Sequence, residues 1–338
     1  MPPIRVAVDA LGGDRAPDEI VAGALEARSE SVQPILFGPA SLDAGGLEAV
    51  ETTQAIGMEE KPAEAVRGKP DSSLVATCRS VGRGDAAAVV SAGNTGAMLA
   101  ASLLQIRRLP GVMRPAIAVV IPAVRGPSVL IDAGANAESK PEHLLQFAEM
   151  GSIFAEEILD VARPEVGLLS IGEEAGKGDQ ATQETHELLA AAGDLNFVGN
   201  VESRWLLEGA ADVVVTDGFT GNVSLKLLEG TILSLFDGFR SEIGRTFRGR
   251  VGGFLIRPAG RRLRARLDPE AHGGAYLLGL RGLVVIAHGN SSRLAIANAI
   301  RLAARGVEHD VVGKLRERLG RERKDDRVSI LAPAESDG

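Results

Sequence analysis

The chain has 338 residues, 45% hydrophobic and 24% charged, so it can bury a large core and its composition is not that of a disordered segment. A formal charge of −8 excludes a general nucleic-acid binder, which needs an excess of Lys and Arg to neutralise phosphates. The single cysteine, Cys78, excludes an intrachain disulfide and a cysteine-based zinc site, and it fits a reducing compartment.

The N-terminus, Met1 to Arg5, lacks the apolar core of a signal peptide, which points to the cytoplasm. From there one event repeats: a short apolar run, a glycine-rich turn, a helical stretch. That alternation predicts parallel strands with crossover helices. Strands are expected at Ile4 to Val8, Pro34 to Phe37, Ala87 to Val90, Ala116 to Ile121, Ser128 to Ile131, Val166 to Ile171, Asn196 to Val198, Asp212 to Thr216 and Leu283 to Ala287. Helices are expected at Pro17 to Arg28, Ser72 to Val81, Thr95 to Arg107, Pro141 to Asp160, Gln180 to Ala192, Asn222 to Phe247 and Ser291 to Arg305. The near-continuous apolar character of the strands predicts burial on both faces. The expected architecture is therefore α/β, a mostly parallel sheet with helices on both faces. It forms one continuous unit over residues 1–325, with a protruding arm at about 236–268 and a flexible tail at 326–338. Ala86 to Ile106 carries no charge and is long enough to raise the question of a membrane span. Ser91, Gly93, Asn94, Thr95 and Gly96 in its middle make it a strand, a turn and a helix instead.

Six turns that follow expected strands carry the chemistry: Asp9 to Asp14, Ser91 to Gly96, Asp132 to Asn136, Gly172 to Gly178, Asp217 to Asn222, and His288 to Ser292. In a parallel sheet all six lie at one edge, where ligands of open α/β folds bind. Glycine lets backbone approach an anion closely, and the first amides of the next helix point outward with partial positive charge. Any one turn is as well explained by tight packing; six at one edge, each with a small polar side chain, predict a phosphate and oxyanion cradle. No turn matches the Walker pattern or Gly-x-Gly-x-x-Gly, and there is no Gly-x-Ser-x-Gly elbow. Nucleotide hydrolysis, standard dinucleotide binding and serine hydrolysis lose support accordingly.

At these turns the sequence resembles the acyl-acyl-carrier-protein:phosphate acyltransferases (PlsX type). The resemblance is carried by Val6 to Asp14, Lys61 to Arg67 with Ser72 and Ser73, Ser91 to Ala97, Gly167 to Gly178, Phe197 to Arg204, Asp212 to Lys226 and Gly273 to His288. It spans nearly the whole chain in one order. It implies an isopropylmalate-dehydrogenase-like fold used as a homodimer, with inorganic phosphate attacking the thioester of acyl carrier protein to make acyl phosphate for phospholipid synthesis. It implies no cofactor, metal or nucleotide. The chain departs from the family pattern at Leu11, where Met is usual, at Tyr276, where Pro is usual, and at Trp205, which replaces an acidic or polar residue. The stretch from Pro39 to Thr53 is also short for a second β-α unit.

Such a reaction asks for positioning and charge stabilisation rather than a Ser-His-Asp set, because phosphate is already anionic and a thiol of pKa about 8.5 leaves readily. The resemblance places its catalytic lysine at Lys177, the only lysine of its turn. Asn222 is the candidate donor to the oxyanion; helix N-cap is its structural alternative. Asp9, Gly12, Gly13, Asp14, Ser91, Gly93, Asn94, Thr95, Gly96, Asp132, Gly134, Asn136, Asp217, Gly218, Thr220 and Gly221 are the candidates for the anion site, each with a turn-forming alternative. His288 stands at a strand end, as a phosphate donor, a proton carrier or a hydrogen-bonded structural residue. Asp14 and Asp217 read as caps and loop braces rather than metal ligands, and Cys78 reads as a buried inert thiol.

Between Arg240 and Arg266, nine arginines stand against Glu242, a local charge of +8 in a chain of −8. Phe239, Phe247, Phe254, Leu255 and Leu263 are interleaved with them. A basic amphipathic segment of this kind suits a membrane surface or an acidic partner. Arg245, Arg248, Arg250, Arg257, Arg261, Arg262 and Arg264 are the candidate contacts to acyl carrier protein or anionic lipid. A helical arm that only builds the dimer is the alternative. Other readings stay open: a phosphotransacylase using coenzyme A thioesters, an NAD-linked decarboxylating dehydrogenase, and a catalytically silent membrane-associated scaffold.

Overall fold

The computed structural model describes residues 2–267 and 273–320. The tail expected at 326–338 and residue 268 of the arm lie outside them. The described strands are β1 (Ile4–Asp9), β2 (Val32–Gly38), β3 (Glu48–Glu51), β4 (Ala88–Ser91), β5 (Ala116–Pro122), β6 (Pro127–Ile131), β7 (Glu165–Ser170), β8 (Asn196–Glu202), β9 (Val213–Val215), β10 (Ala275–Leu278) and β11 (Leu283–Ile286). They form one sheet in the order β3-β2-β1-β4-β11-β10-β5-β6-β9-β7-β8. The helices are α1 (Asp18–Ala27), α2 (Pro62–Gly68), α3 (Ser73–Arg83), α4 (Thr95–Gln105), α5 (Pro141–Ile158), α6 (Gln180–Ala191), α7 (Gly218–Arg245), α8 (Phe247–Leu267) and α9 (Arg293–Glu308).

Strand residues alternate between two cores, as side chains of a pleated strand must. Val6 and Val8 of β1, with Val213 and Val215 of β9, face a core shared with α1, α5 and α9. Ala7 and Val214 face the opposite core, which takes in Leu74 of α3, Met98 of α4 and Leu225 of α7. Cys78 is buried there, its thiol pushed up to about 12 by burial. The family departure Tyr276 is buried as well: its ring meets Phe154 edge-on with centroids 4.9 Å apart, and its hydroxyl donates to the Leu302 carbonyl. The short Pro39 to Thr53 stretch carries no helix; it ends in β3, an exposed edge strand that apolar patterning does not reveal.

One expectation is corrected. The sheet is mostly parallel, but its six glycine turns do not share one edge. β1, β2, β3, β4 and β11 run one way, and β6, β7, β8 and β9 the other. The reversal comes from β10 and β5, which pair antiparallel with their neighbours. Register then decides where the turns fall. Ile131, the last residue of β6, pairs with Ala118 of β5, as does Tyr276 of β10. Ile286, the last residue of β11, pairs with Ala275 and with Ser91, the last of β4. The carboxyl ends of the two halves thus point at each other across the middle of β5. The turns after β4, β6, β9 and β11 meet in a cleft between opposed halves rather than along a common rim.

The segment expected as a basic arm is helical: α7 runs on past its buried residues Leu225 and Ile232, and α8 follows it, with Gly253 against Ile243 near the junction. Phe239, Phe247, Phe254, Leu255 and Leu263 are exposed there, as are the seven candidate arginines from Arg245 to Arg264.

Candidate active site

A cavity of about 470 Å³ opens where the two halves meet. One half contributes Gly93, Thr95 and Gly96 from the turn after β4, and His288 and Gly289 from the turn after β11. The other contributes Ala133, Gly134 and Ala135 after β6, and the inner face of α7: Asn222, Leu225, Lys226, Leu228, Glu229 and Ile232. The floor is β5, from Ile117 to Pro122. The cavity therefore joins an apolar bed to a few convergent polar groups, the usual make-up of a small-molecule site.

Most expected anion-site residues stand behind this lining and hold it in shape. The Asp9 carboxylate is 1% exposed and accepts hydrogen bonds from Ser91 Oγ at 2.7 Å and from the Leu11 amide. Burial raises its pKa, against the lowering effect of Ser73 and Ser91. Gly13 at φ +105 lets the Asp14 amide donate to the Gly289 carbonyl at 2.7 Å, which ties the turns after β1 and β11 together. Asn94 caps α4, accepting from the Ala97 amide, while its Nδ2 donates to the carbonyls of Met58 and Glu60. The cap leaves the first amides of α4, at Thr95 and Gly96, without partners inside the helix and at the cavity wall.

The opposite half is braced in the same way. Asp132 is fully buried; its carboxylate accepts from the amides of Ile117, Gly134, Ala135 and Asn136 and from Asn136 Nδ2. Burial raises its pKa despite those bonds. With its oxygens engaged by the turn and by the Ile117 amide of β5, Asp132 shapes the Gly134 corner together with Asn136. Asp217 is the N-cap of α7 and accepts from the Phe219 and Thr220 amides. Gly218 and Gly221 let α7 start against the turn after β6: a Cβ on Gly221 would lie 2.0 Å from the Asp132 carbonyl oxygen. Asn222 is thus freed from capping. Its side chain lies against Gly134, where a Cβ would meet Asn222 Cβ at 3.4 Å, and it enters the cavity.

Lys177 is not among the cavity residues. It is exposed on the turn after β7, whose Glu174 carbonyl accepts from Asn200 Nδ2 and whose Glu173 accepts from Trp205 Nε1. Those contacts hold the turn toward β8, with β9 between it and β6. The residues missed by sequence reasoning are Lys226 and Glu229, which reach the cavity from α7. Helical spacing gives them away, since they fall four and seven positions after Asn222 on one face. Glu229 Oε1 lies 3.5 Å from His288 Nε2. Among the described residues no group of acids, His and Cys is arranged to hold a metal, and no helix is long and apolar enough to cross a membrane.

Comparison with known proteins agrees with this architecture. The chain is 43% identical over 328 residues to a phosphate acyltransferase of Heliobacterium modesticaldum, covering 94% of this chain and 98% of that one. It is 46% identical over 329 residues to the phosphate acyltransferase of Desulfitobacterium hafniense, with the same coverage. Among solved structures, a phosphotransacetylase from Streptococcus pyogenes superposes with a TM-score of 0.60 at 16% identity, covering 90% of this chain and 94% of that one. A 4-hydroxythreonine-4-phosphate dehydrogenase from Klebsiella pneumoniae follows at 0.52 and 14%, covering 91% and 100%. At those identities the likeness is one of fold, which matches the expected dehydrogenase-like architecture. The family model of fatty acid synthesis proteins matches residues 4–314, and with relatives of this identity over nearly their full length the chain belongs to that family, as a phosphate acyltransferase.

Proposed function

We propose that the acyl donor is acyl carrier protein and that the cleft over β5 is where its thioester meets inorganic phosphate. The observation that carries this reading is the cavity itself, in which Asn222 and the amino end of α4 face one bed of apolar side chains. An acyl chain lies on Ile117, Val119, Ile121, Leu225 and Leu228, with its carbonyl toward the polar groups. A phosphate oxygen attacks the thioester carbon. As the C–O bond forms, the carbonyl oxygen takes up charge and Asn222 donates its amide to it. Collapse breaks the C–S bond, the electron pair leaves with sulfur, and the proton of hydrogen phosphate ends on the thiol. His288 is the candidate carrier of that proton. Lys177, the cation that the resemblance implies, stands on the exposed turn after β7 outside the cavity lining, so a catalytic role for it requires that turn to reach the cleft when substrate binds.

The exposed arginines and apolar residues of α7 and α8 support docking of an acidic carrier protein and residence at an anionic membrane surface. The apolar face of α7, with Phe219, Val223 and Leu227 exposed, supports a homodimer. The test is incubation with acyl carrier protein loaded with a long acyl chain, with and without phosphate, scoring free thiol and acyl phosphate. Phosphate-dependent release is expected, faster than from acyl-coenzyme A. Equal or faster turnover of the coenzyme A thioester would transfer the donor role, and no release from either would end the reading.

A further inference from the structure

The cavity holds a lysine of its own. Among the described residues Lys226 is the only Lys or Arg of the cavity lining, and it lies one helical turn beyond Asn222 on α7. Both are on α7, and Glu229 follows on the same face about 10 Å along the axis from Asn222. Among the described residues Lys226 forms no ion pair, whereas the one acid lining the cavity, Glu229, is engaged with His288. An exposed, flexible ammonium without a carboxylate partner, one helical turn from a carboxamide at the wall of a partly apolar cleft, is a ready counter-charge for an anion.

Two further features favour a compact oxyanion. Thr95 and Gly96 bring the amino end of α4, an 11-residue helix, to the same cavity, with amides that have no partner within the helix. His288, also at the wall, faces the acid Glu229, which would otherwise repel an anion. The geometry points to Lys226 as the residue that binds the phosphate co-substrate, together with the first amides of α4, ahead of the reacting carbonyl. Lys177, on its exposed turn outside the cavity, is a separate element. The assignment rests on the proposed phosphate-dependent acyl transfer and names the group that carries the nucleophile.

The test separates the two substrates. Steady-state kinetics of Lys226→Ala and Lys226→Arg are measured with phosphate varied at saturating acyl carrier thioester, and then the reverse. For Lys226→Ala the KM for phosphate is expected to rise roughly tenfold or more, as removal of one charge-assisted bond implies. The KM for the thioester should stay within about twofold, and Lys226→Arg should recover most of the loss. In the absence of thioester, phosphate should raise the Tm of the wild type more than that of Lys226→Ala. Lys226→Gln, which keeps most of the stem, replaces any variant whose melting curve shows it unfolded. A rise confined to the thioester KM, or equal stabilisation of both proteins by phosphate, overturns the assignment. If the wild type releases no thiol in response to phosphate, it is the underlying acyl-transfer reading that fails, and the Tm comparison still decides whether Lys226 binds phosphate.

Discussion

His288 and Glu229 join the two opposed halves of the sheet: the imidazole follows β11, the carboxylate sits on α7, and Nε2 and Oε1 are 3.5 Å apart. A contact of this kind orients a side chain more than it stabilises a fold, because His288 is 54% exposed. Replacing Glu229 with Gln should therefore leave Tm within about 1 °C. If His288 acts on phosphate or on the departing thiol, kcat/KM should fall roughly tenfold. Unchanged kinetics at several pH values would reduce the pair to a surface contact.

Asn222 separates catalysis from folding. Asp217, not Asn222, caps α7, so the two substitutions should have opposite signatures. Asn222→Ala should lower kcat by roughly 100-fold, the usual cost of one oxyanion donor, with little change in melting. Asp217→Ala removes the acceptor of two amides and should cost about 1 kcal/mol of stability. Melting curves and initial rates on both proteins check the pair, and loss of stability in Asn222→Ala would return that residue to a structural role.

The start of α7 depends on bare backbone. A methyl at Gly221 would sit 2.0 Å from the Asp132 carbonyl oxygen, and neither atom belongs to a flexible side chain. Gly221→Ala should cost about 3 kcal/mol and push α7 away from the Gly134 corner. Activity and Tm are expected to fall together, unlike in Asn222→Ala. A variant with native melting would show that the corner has slack.

Much of this was legible in the sequence, for identifiable reasons. Apolar runs such as Val6 to Val8 are buried on both faces and announce themselves, whereas α7 starts at Gly218, four residues before the expected Asn222, because Asp217 and not Asn222 is its cap. The opposed halves are not evident from apolar patterning, although spacing contains the signal. Only a few residues separate Ile121 from Ser128, too few for a parallel crossover, so β5 and β6 had to be a hairpin. β10 hides better, as four residues after a glycine pair whose direction nothing local reveals. Lys177 stands out by its glycine-flanked motif, whereas Lys226 is one polar position within a 28-residue helix and carries no local signal of a site.

Glu19 links α1 to α9 through Arg293, accepting from its guanidinium at 2.7 Å and from its backbone amide at 2.7 Å. Hydrogen bonds from Arg293 hold the carboxyl below its ordinary value. A lowered carboxylate contributes stability that is present above its unfolded pKa and lost as pH falls through the folded value. Glu19→Gln should thus lower Tm slightly, by about 2 °C at neutral pH, and the difference from wild type should shrink on acidification below the ordinary carboxylate range. A difference that persists unchanged at low pH would assign the effect to packing rather than charge.

The arm poses the question of partners. Arg261, Arg262 and Arg264 are exposed on α8, and Phe254 and Leu255, about two to three turns earlier, are 73% and 72% exposed. Charge and apolar surface make separable contributions: arginines attract acidic protein or lipid at long range and are screened by salt, while buried aromatic area is not. Reversing the three arginines to Glu should weaken binding to acyl carrier protein or to vesicles containing anionic lipid by at least about tenfold at low salt, with the gap closing as salt rises. Replacing Phe254 and Leu255 with Ser should weaken vesicle binding at all salt concentrations and leave carrier-protein binding largely intact. Sedimentation with vesicles and titration with carrier protein distinguish the two surfaces. Loss of neither interaction in either variant would leave the arm to dimer formation, which the oligomeric state of the Phe254 and Leu255 variant in solution would then report.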